Sequence, residues 1–332
     1  MGIKTDIYRS ALRDYDSIKS ASESKVRELK EILYRHNPRL EEIDREVNLA
    51  GVDAAKKIIR RPADREAIKA ELNEKLSSLE TEKQHIYDEL GVTDEYFNTA
   101  YRCRKCHDTG MVDGKECSCF RQYLIKKAYG RSLLNELSDD ETFGNFNPTY
   151  YSADDADIYG VSSYESIRIA FNTCVEFVKN FGKNYKNILI TGKTGLGKTF
   201  LCNAMAKSVL SHGFTVIYIS AGRLFKTLAD EQFSRNEDEE YSSFYDDVLS
   251  VDLLIIDDLG TEFSTTLVSS QIFNIINERM LNTKPTVIST NLTPKEIQDQ
   301  YSDRVLSRIM DGFDMLKITG EDIRIQKKTM GK

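Results

Sequence analysis

Residues 192–199 read Gly-Lys-Thr-Gly-Leu-Gly-Lys-Thr, which matches the spacing G-x-x-x-x-G-K-[ST]. The octet follows the β-rich run Asn187–Thr191 (NILIT) and opens a helical stretch over Phe200–Ser211. This strand–loop–helix setting turns the pattern into a structural demand. Glycines at 192, 195 and 197 let successive backbone N–H groups curl around a β-phosphate, and the helix N-terminus adds positive potential. Lys198 is then expected to bridge β- and γ-phosphate oxygens, with the Thr199 hydroxyl on Mg²⁺.

A P-loop needs a sheet behind it, and the sequence supplies one. After Ile167, four short runs alternate with helical stretches: Asn187–Thr191, Thr215–Ser220, Leu253–Asp257 and Thr286–Thr290. Such alternation predicts an α/β fold, a parallel sheet flanked by helices. Leu253–Ile256 reads as a strand buried on both faces, and Asp257 and Asp258 emerge at its C-terminal end, where open α/β sheets bind ligands. Asp257 is expected to hold Mg²⁺, directly or through water, and Asp258 to orient and polarise the attacking water. The plainer alternative is an acidic pair that caps the next helix. Asn291, just past the strand TVIST, is placed to align that water against the γ-phosphate. Arg304 and Arg308 lie four apart on a later helix. They are either one solvated face or a source of positive charge for a neighbouring subunit's γ-phosphate.

The remaining chain divides by composition into a helical region 1–100, a cysteine module 101–130, a connector 131–165 and the α/β domain 166–332. In the first, Val26, Leu29, Ile32 and Leu33, then Leu72, Leu76, Leu79, Ile86 and Leu90, recur at helical steps. Pro38 and Pro62 interrupt the pattern, which predicts two or three antiparallel helices rather than one rod. The connector is acidic and turn-rich, from Ser138-Asp139-Asp140-Glu141 to Asp154-Asp155, and a second acidic run, Glu237-Asp238-Glu239-Glu240, reads as a solvated loop.

Four of the six cysteines fall between 103 and 119, as Cys103-x-x-Cys106 and Cys117-x-Cys119. Four thiolates suit a closed, structural tetrahedral Zn²⁺ site, with His107 the alternative to one sulfur because C-x-C is a tight spacing. A redox pair or plain thiols are the competing readings. Arg102, Arg104, Lys105, Lys115, Arg121, Lys126 and Lys127 outnumber three acids there, which leaves two options, phosphate contacts with a single strand or a solvated knuckle. The whole chain carries 46 positive and 53 negative residues, a net −7 that excludes a polybasic nucleic-acid sponge. No apolar run approaches a membrane span and no export signal opens the chain, so a cytoplasmic protein without membrane contact is expected.

Taken together, the P-loop, Asp257-Asp258, Ser289-Thr290-Asn291 as sensor 1 and Ser307-Arg308 as finger resemble an AAA+ ATPase. Within that class the chain is similar to the DnaC/DnaI replicative helicase loaders and to their relative IstB, a transposition helper. Thr142–Phe146 resembles the aromatic segment before their ATPase core, Ile255–Glu262 their Walker B phrase, and Gly320–Arg324 their terminal stretch, which makes Arg324 a sensor-2-like residue. The likeness runs from about 142 to 326. It departs at Asp258, where many AAA+ proteins carry Glu, so slow or partner-dependent hydrolysis is expected. Little sequence follows Ile318, so neither a helical lid nor the helix-turn-helix of a DnaA-type initiator is expected. The resemblance implies ATP and Mg²⁺ as ligands, and a zinc-bearing N-terminal region that grips a hexameric replicative DNA helicase. It also implies single-stranded DNA on the ATPase core, with an added helix in 221–250 carrying Arg223 and Lys226, and self-association through Arg308 in trans. An ATP-dependent helicase loader is the leading expectation. An IstB-like transposition helper is the alternative, and an adaptor that binds ATP without turnover is the third.

Overall fold

The computed structural model describes residues 5–129, 140–234 and 244–330. Ser138-Asp139 of the connector and the acidic run at 237–240 lie outside them. The chain forms two compact units, one of residues 12–117 and one of residues 1–11 with 118–332.

The first unit holds most of α1 (Thr5–His36), with α2 (Arg39–Arg60), α3 (Arg65–Leu90), the short α4 (Asp94–Asn98) and a two-stranded hairpin, β1 (Met111–Val112) and β2 (Lys115–Glu116). Both prolines act as the sequence suggests: Pro38 is the N-cap of α2, and Pro62 opens a 3-10 turn between α2 and α3. Gly91, at φ +66°, ends α3 in the left-handed conformation that glycine accepts without a Cβ penalty. Leu33, Leu40, Ile43, Leu79, Ile86 and Val92 make the apolar core, while Ile32, inside the predicted stripe, points outward.

Asp44 is the polar centre of this bundle. Its carboxylate accepts hydrogen bonds from Lys30 (2.8 Å), Lys83 (2.6 Å) and the Tyr34 hydroxyl (2.6 Å). Burial raises its pKa, but those three donors outweigh burial and bring it down to about 2. A depressed carboxylate pKa gives stability that is present above the unfolded value near 4 and lost as pH falls through the folded one. Asp44→Asn is expected to weaken α1–α3 by roughly 1–2 kcal/mol at pH 7, allowing for solvent screening, and by little at pH 2. Hydrogen exchange of α2 and α3 at the two pH values reads this directly, and equal losses at both would disprove it.

The second unit is built on five parallel strands in the order β4-β5-β6-β3-β7. They are β3 (Asn187–Thr191), β4 (Val216–Ser220), β5 (Leu253–Leu259), β6 (Thr286–Thr290) and β7 (Phe313–Lys317). Along the apolar stretches of the strands, side chains alternate between two layers. Ile188, Ile190, Val216, Leu253, Ile255 and Val287 meet α6 (Ser163–Lys179) and α7 (Lys198–Ser211). Leu189, Ile217, Leu254, Ile256 and Ile288 face the other layer. That layer contains α8 (Ala221–Ser234), α9 (Phe244–Ser250), α10 (Thr266–Leu281), α11 (Pro294–Tyr301) and α12 (Asp303–Gly312). A last helix, α13, covers Ile323–Met330.

Strand β7 is absent from the sequence-based expectation. It follows α12 with no intervening turn and buries only Phe313 and Leu316 of its five residues, as an edge strand beside β3. The opposite edge is closed by α5 (Ser118–Tyr129). The Gln122 amide accepts from Val216 N–H (2.8 Å) and donates to Val216 C=O (3.2 Å), imitating a neighbouring strand. Among the described residues, no helix is long and apolar enough to cross a membrane.

Candidate functional site

The strand order decides what can meet. From β3 the chain crosses to the far edge, returns through β5 and β6, and leaves β6 beside β3, so the C-terminal ends of β3, β6 and β5 stand side by side. Thr191 pairs with Thr290, which brings the start of the P-loop level with Asn291. This is the position at which doubly wound sheets bind ligands.

Gly197, at φ +86°, is the N-cap of α7, so the helix starts at Lys198, two residues before the sequence pattern suggested. A Cβ on Gly197 would lie 2.8 Å from the Tyr151 hydroxyl, and one on Gly192 (φ +152°) would strike the carbonyl of Ile318. Both glycines are therefore required by close approach as well as by backbone angle. Lys198 is 4% exposed. Its ammonium donates to the carbonyls of Gly192 and Lys193, each at 2.8 Å, and to the side-chain oxygen of Asn291. Burial lowers its pKa, with Asp258 and Asp257 opposing the shift.

Asp257 is buried, and both of its carboxylate oxygens are engaged, one by the Tyr218 hydroxyl from β4 and one by the Ser289 hydroxyl from β6. Asp258 adopts φ +54°, a left-handed conformation costing an L-residue about 1–2 kcal/mol. Burial raises its pKa, and the neighbouring Asp257 adds to the rise against the pull of Lys198 and Arg324. Two close carboxylates with the Thr199 hydroxyl form an all-oxygen donor set, which fits a hard divalent cation such as Mg²⁺.

A cavity of about 430 Å³ joins these parts. Its lining includes Gly195, Gly197, Lys198, Thr199, Asp258 and Arg324 together with Glu141, Phe146, Tyr150, Tyr151 and Phe200. The aromatic wall is held by local packing. Phe146 stacks on Phe171 with centroids 4.5 Å apart, and the Tyr151 hydroxyl donates to Leu196 C=O (2.8 Å). The segment before α13 braces the loop from outside, where Ile323 N–H donates to Gly195 C=O (3.0 Å) and the Asp322 carboxylate lies against Gly195. Beyond β5, the Tyr301 hydroxyl of α11 donates to Glu262, whose other oxygen accepts from Gly260 N–H (3.1 Å).

Of the sequence-derived site residues, Gly195, Gly197, Lys198, Thr199, Asp258 and Arg324 line this cavity, and Gly192, Asp257 and Asn291 stand directly behind it. Arg308 does not reach it: both Arg304 and Arg308 are exposed on α12, away from the lining. Arg223 and Lys226 are exposed on α8, whose Leu224, Phe225 and Leu228 are buried in the core. Sequence reasoning gave no role to Tyr218, Tyr151 or Asp322. A hydroxyl inside the otherwise apolar strand VIYIS was the available signal, since a buried tyrosine seeks a partner.

The four sulfurs of Cys103, Cys106, Cys117 and Cys119 lie within 4.8 Å of one another. Those of Cys103 and Cys117 are 3.8 Å apart, the edge of about 3.8 Å that a tetrahedron with roughly 2.3 Å zinc–sulfur bonds requires. His107 is exposed and pairs with the Tyr101 ring (4.6 Å), so the clustered donor set is four thiols. Asp108 fixes the knuckle by accepting from the N–H groups of Arg102 (3.0 Å) and Cys103 (2.8 Å).

Comparison with known proteins places this geometry among relatives. The model of the family described as IstB-like ATP binding protein matches residues 164–331. The chain is similar to the chromosomal replication initiator protein DnaA of Pseudothermotoga lettingae, with 29% identity over 220 residues, 66% of this chain and 45% of that protein. It is also similar to the replicative helicase loader DnaC of Escherichia coli K12, with 26% identity over 167 residues, 48% of this chain and 67% of the loader. Among solved structures, AMPPCP-bound DnaA from Aquifex aeolicus matches 58% of this chain and 56% of its own, at 27% identity and a TM-score of 0.45. The chain spans less than half the length of the initiators it matches in sequence.

Proposed function

Because the chain belongs to the IstB-like ATP binding protein family, within the AAA+ class, we propose that it is an ATP-dependent loader of a hexameric replicative DNA helicase. The observation that carries this reading is the single cavity in which Lys198, Thr199, Asp258 and Arg324 converge against an aromatic wall, with Asp257 and Asn291 behind it. The likeness to a helicase loader over two thirds of that loader's length directs the choice of partner.

In this reading the P-loop N–H groups and Lys198 hold the phosphates, Thr199 and Asp257 hold Mg²⁺, and Phe146, Tyr150 and Tyr151 wall the base. Asp258 orients the attacking water with Asn291. Bound Mg²⁺ supplies charge neutralisation at the phosphates. Arg308, exposed and outside its own chain's cavity, reaches the γ-phosphate of the next subunit and completes that site on self-association. Single-stranded DNA binds the assembled ATPase domains. Residues 1–100 and the zinc-bearing module 101–130, closed by Cys103, Cys106, Cys117 and Cys119, grip the helicase. ATP then acts as a switch, ordering the interface when bound and releasing the partner on hydrolysis.

The test is phosphate release by the full chain with single-stranded DNA and the replicative helicase of the same organism. The wild type should be stimulated at least tenfold. Arg308→Ala should keep its affinity for a fluorescent ATP analogue within twofold and lose the stimulation. Equal turnover by the two proteins defeats the finger assignment. Capture of a transposase in place of the helicase by the full chain overturns the loader reading.

A further inference from the structure

Regular strands send successive side chains to opposite faces. On β5, Leu253 and Ile255 face the α6–α7 layer, whereas Leu254 and Ile256 face the other. Unbroken alternation would place Asp257 on the P-loop side and send Asp258 away from it. The structure departs from that pattern at one point. Ile256 pairs with Ile288 and Leu259 with Thr290, so two residues of β5, Asp257 and Asp258, stand opposite one residue of β6, Ser289. This is a β-bulge, a device that re-aims side chains. With Asp258 turned to φ +54°, its carboxylate lines the cavity with Lys198 instead of entering the opposite layer.

A single hydroxyl touches both halves of the bulge. Ser289 Oγ donates to Asp257 Oδ1 and accepts the backbone N–H of Asp258 at 2.9 Å. The hydroxyl that orients the metal-side carboxylate therefore also pins, through a second hydrogen bond, the backbone of the water-side residue. The Tyr218 hydroxyl secures the other oxygen of Asp257.

We propose that Ser289 is a positioning residue that clamps the bulge and holds Asp257 and Asp258 on the same side of the sheet. It acts through the Asp257 carboxylate and the Asp258 backbone N–H. The inference rests on the reading of the cavity as a nucleotide–Mg²⁺ site, and two measurements keep the two claims separable.

The first needs no nucleotide. In Ser289→Ala the Asp258 amide loses its acceptor, and hydrogen exchange at the C-terminal end of β5 should accelerate at least tenfold while β3 and β4 keep their protection. The second uses Mn²⁺ as the probe, followed by electron paramagnetic resonance with ADP present. Ser289→Ala should bind Mn²⁺ at least fivefold more weakly, lower kcat at least tenfold and leave KM for ATP within threefold. Ser289→Thr, which retains the hydroxyl, should recover most of the Mn²⁺ affinity. Unchanged exchange in Ser289→Ala overturns the clamp. Faster exchange with unaltered Mn²⁺ affinity and kcat overturns the positioning role. If the wild type binds no ADP while the exchange result stands, the nucleotide reading fails and the positioning role fails with it.

Discussion

Lys198→Ala is expected to weaken MgATP binding at least a hundredfold, about 2.8 kcal/mol at 1.4 kcal/mol per tenfold change. The size of the effect follows from what the ammonium does in the folded chain. It is the shared donor for Gly192 C=O, Lys193 C=O and Asn291, and it sits beside Asp257 and Asp258. Removing it leaves two loop carbonyls without their donor, at about 1–3 kcal/mol for each buried acceptor, and leaves two carboxylates facing an incoming polyanion. Loop shape and local charge are lost together. Lys198→Arg keeps the charge but cannot fit a planar fork among three acceptors arranged around one nitrogen, so it should recover less than a tenth of the affinity. Fluorescence titration with a labelled ATP analogue in Mg²⁺, with thermal unfolding as a folding control, measures both. Near-wild-type binding by the alanine variant would remove the P-loop assignment.

Arg279→Ala is expected to give the largest loss of stability in the sheet-bearing unit, about 3–5 kcal/mol, and to lower Tm by about 10 °C. Arg279 lies on α10 and is 0% exposed. It donates to Thr286 Oγ1 (2.9 Å) and to the carbonyls of Val248 (2.7 Å), Leu249 (3.2 Å), Val251 (3.0 Å) and Pro285 (2.6 Å). No carboxylate pairs with it among the described residues. Burial brings its pKa down to about 9, and what keeps the cation inside is a shell of carbonyl dipoles, including the C-terminal end of α9. One side chain thus ties α9, α10 and the entries to β5 and β6. Truncation leaves those carbonyls unpaired and opens a cavity. Arg279→Met, which fills volume but donates nothing, separates the two causes. A Tm within 2 °C of wild type for the alanine variant would refute the assignment.

The readable parts of this molecule were those whose chemistry is contiguous. The P-loop is eight adjacent residues in the spacing G-x-x-x-x-G-K-[ST], and four strands announced themselves as short β-rich runs separated by helical stretches. The cysteine spacing likewise brought four sulfurs together in the fold. What could not be read arises from register. The β5 bulge exists only because Ser289 faces two residues, and no local pattern in LLIIDDL marks it. Arg279, in the sequence NERML, has the look of a solvated helix cation, and only the ends of α9 and β6 converging on it reveal otherwise. Strand β7 escaped because an edge strand with two inward residues in five carries too little periodicity to be seen.

The bond from Tyr301 to Glu262, and from Glu262 to Gly260, makes a short leash between α11 and the turn that leaves β5. Helix α12, bearing Arg308, begins two residues after that tyrosine. Any tug on α12 by an adjoining molecule therefore arrives, across one phenol and one carboxylate, two residues from Asp258. The rim helix and the turn beside the interior acid are thus joined by two hydrogen bonds to a single carboxylate.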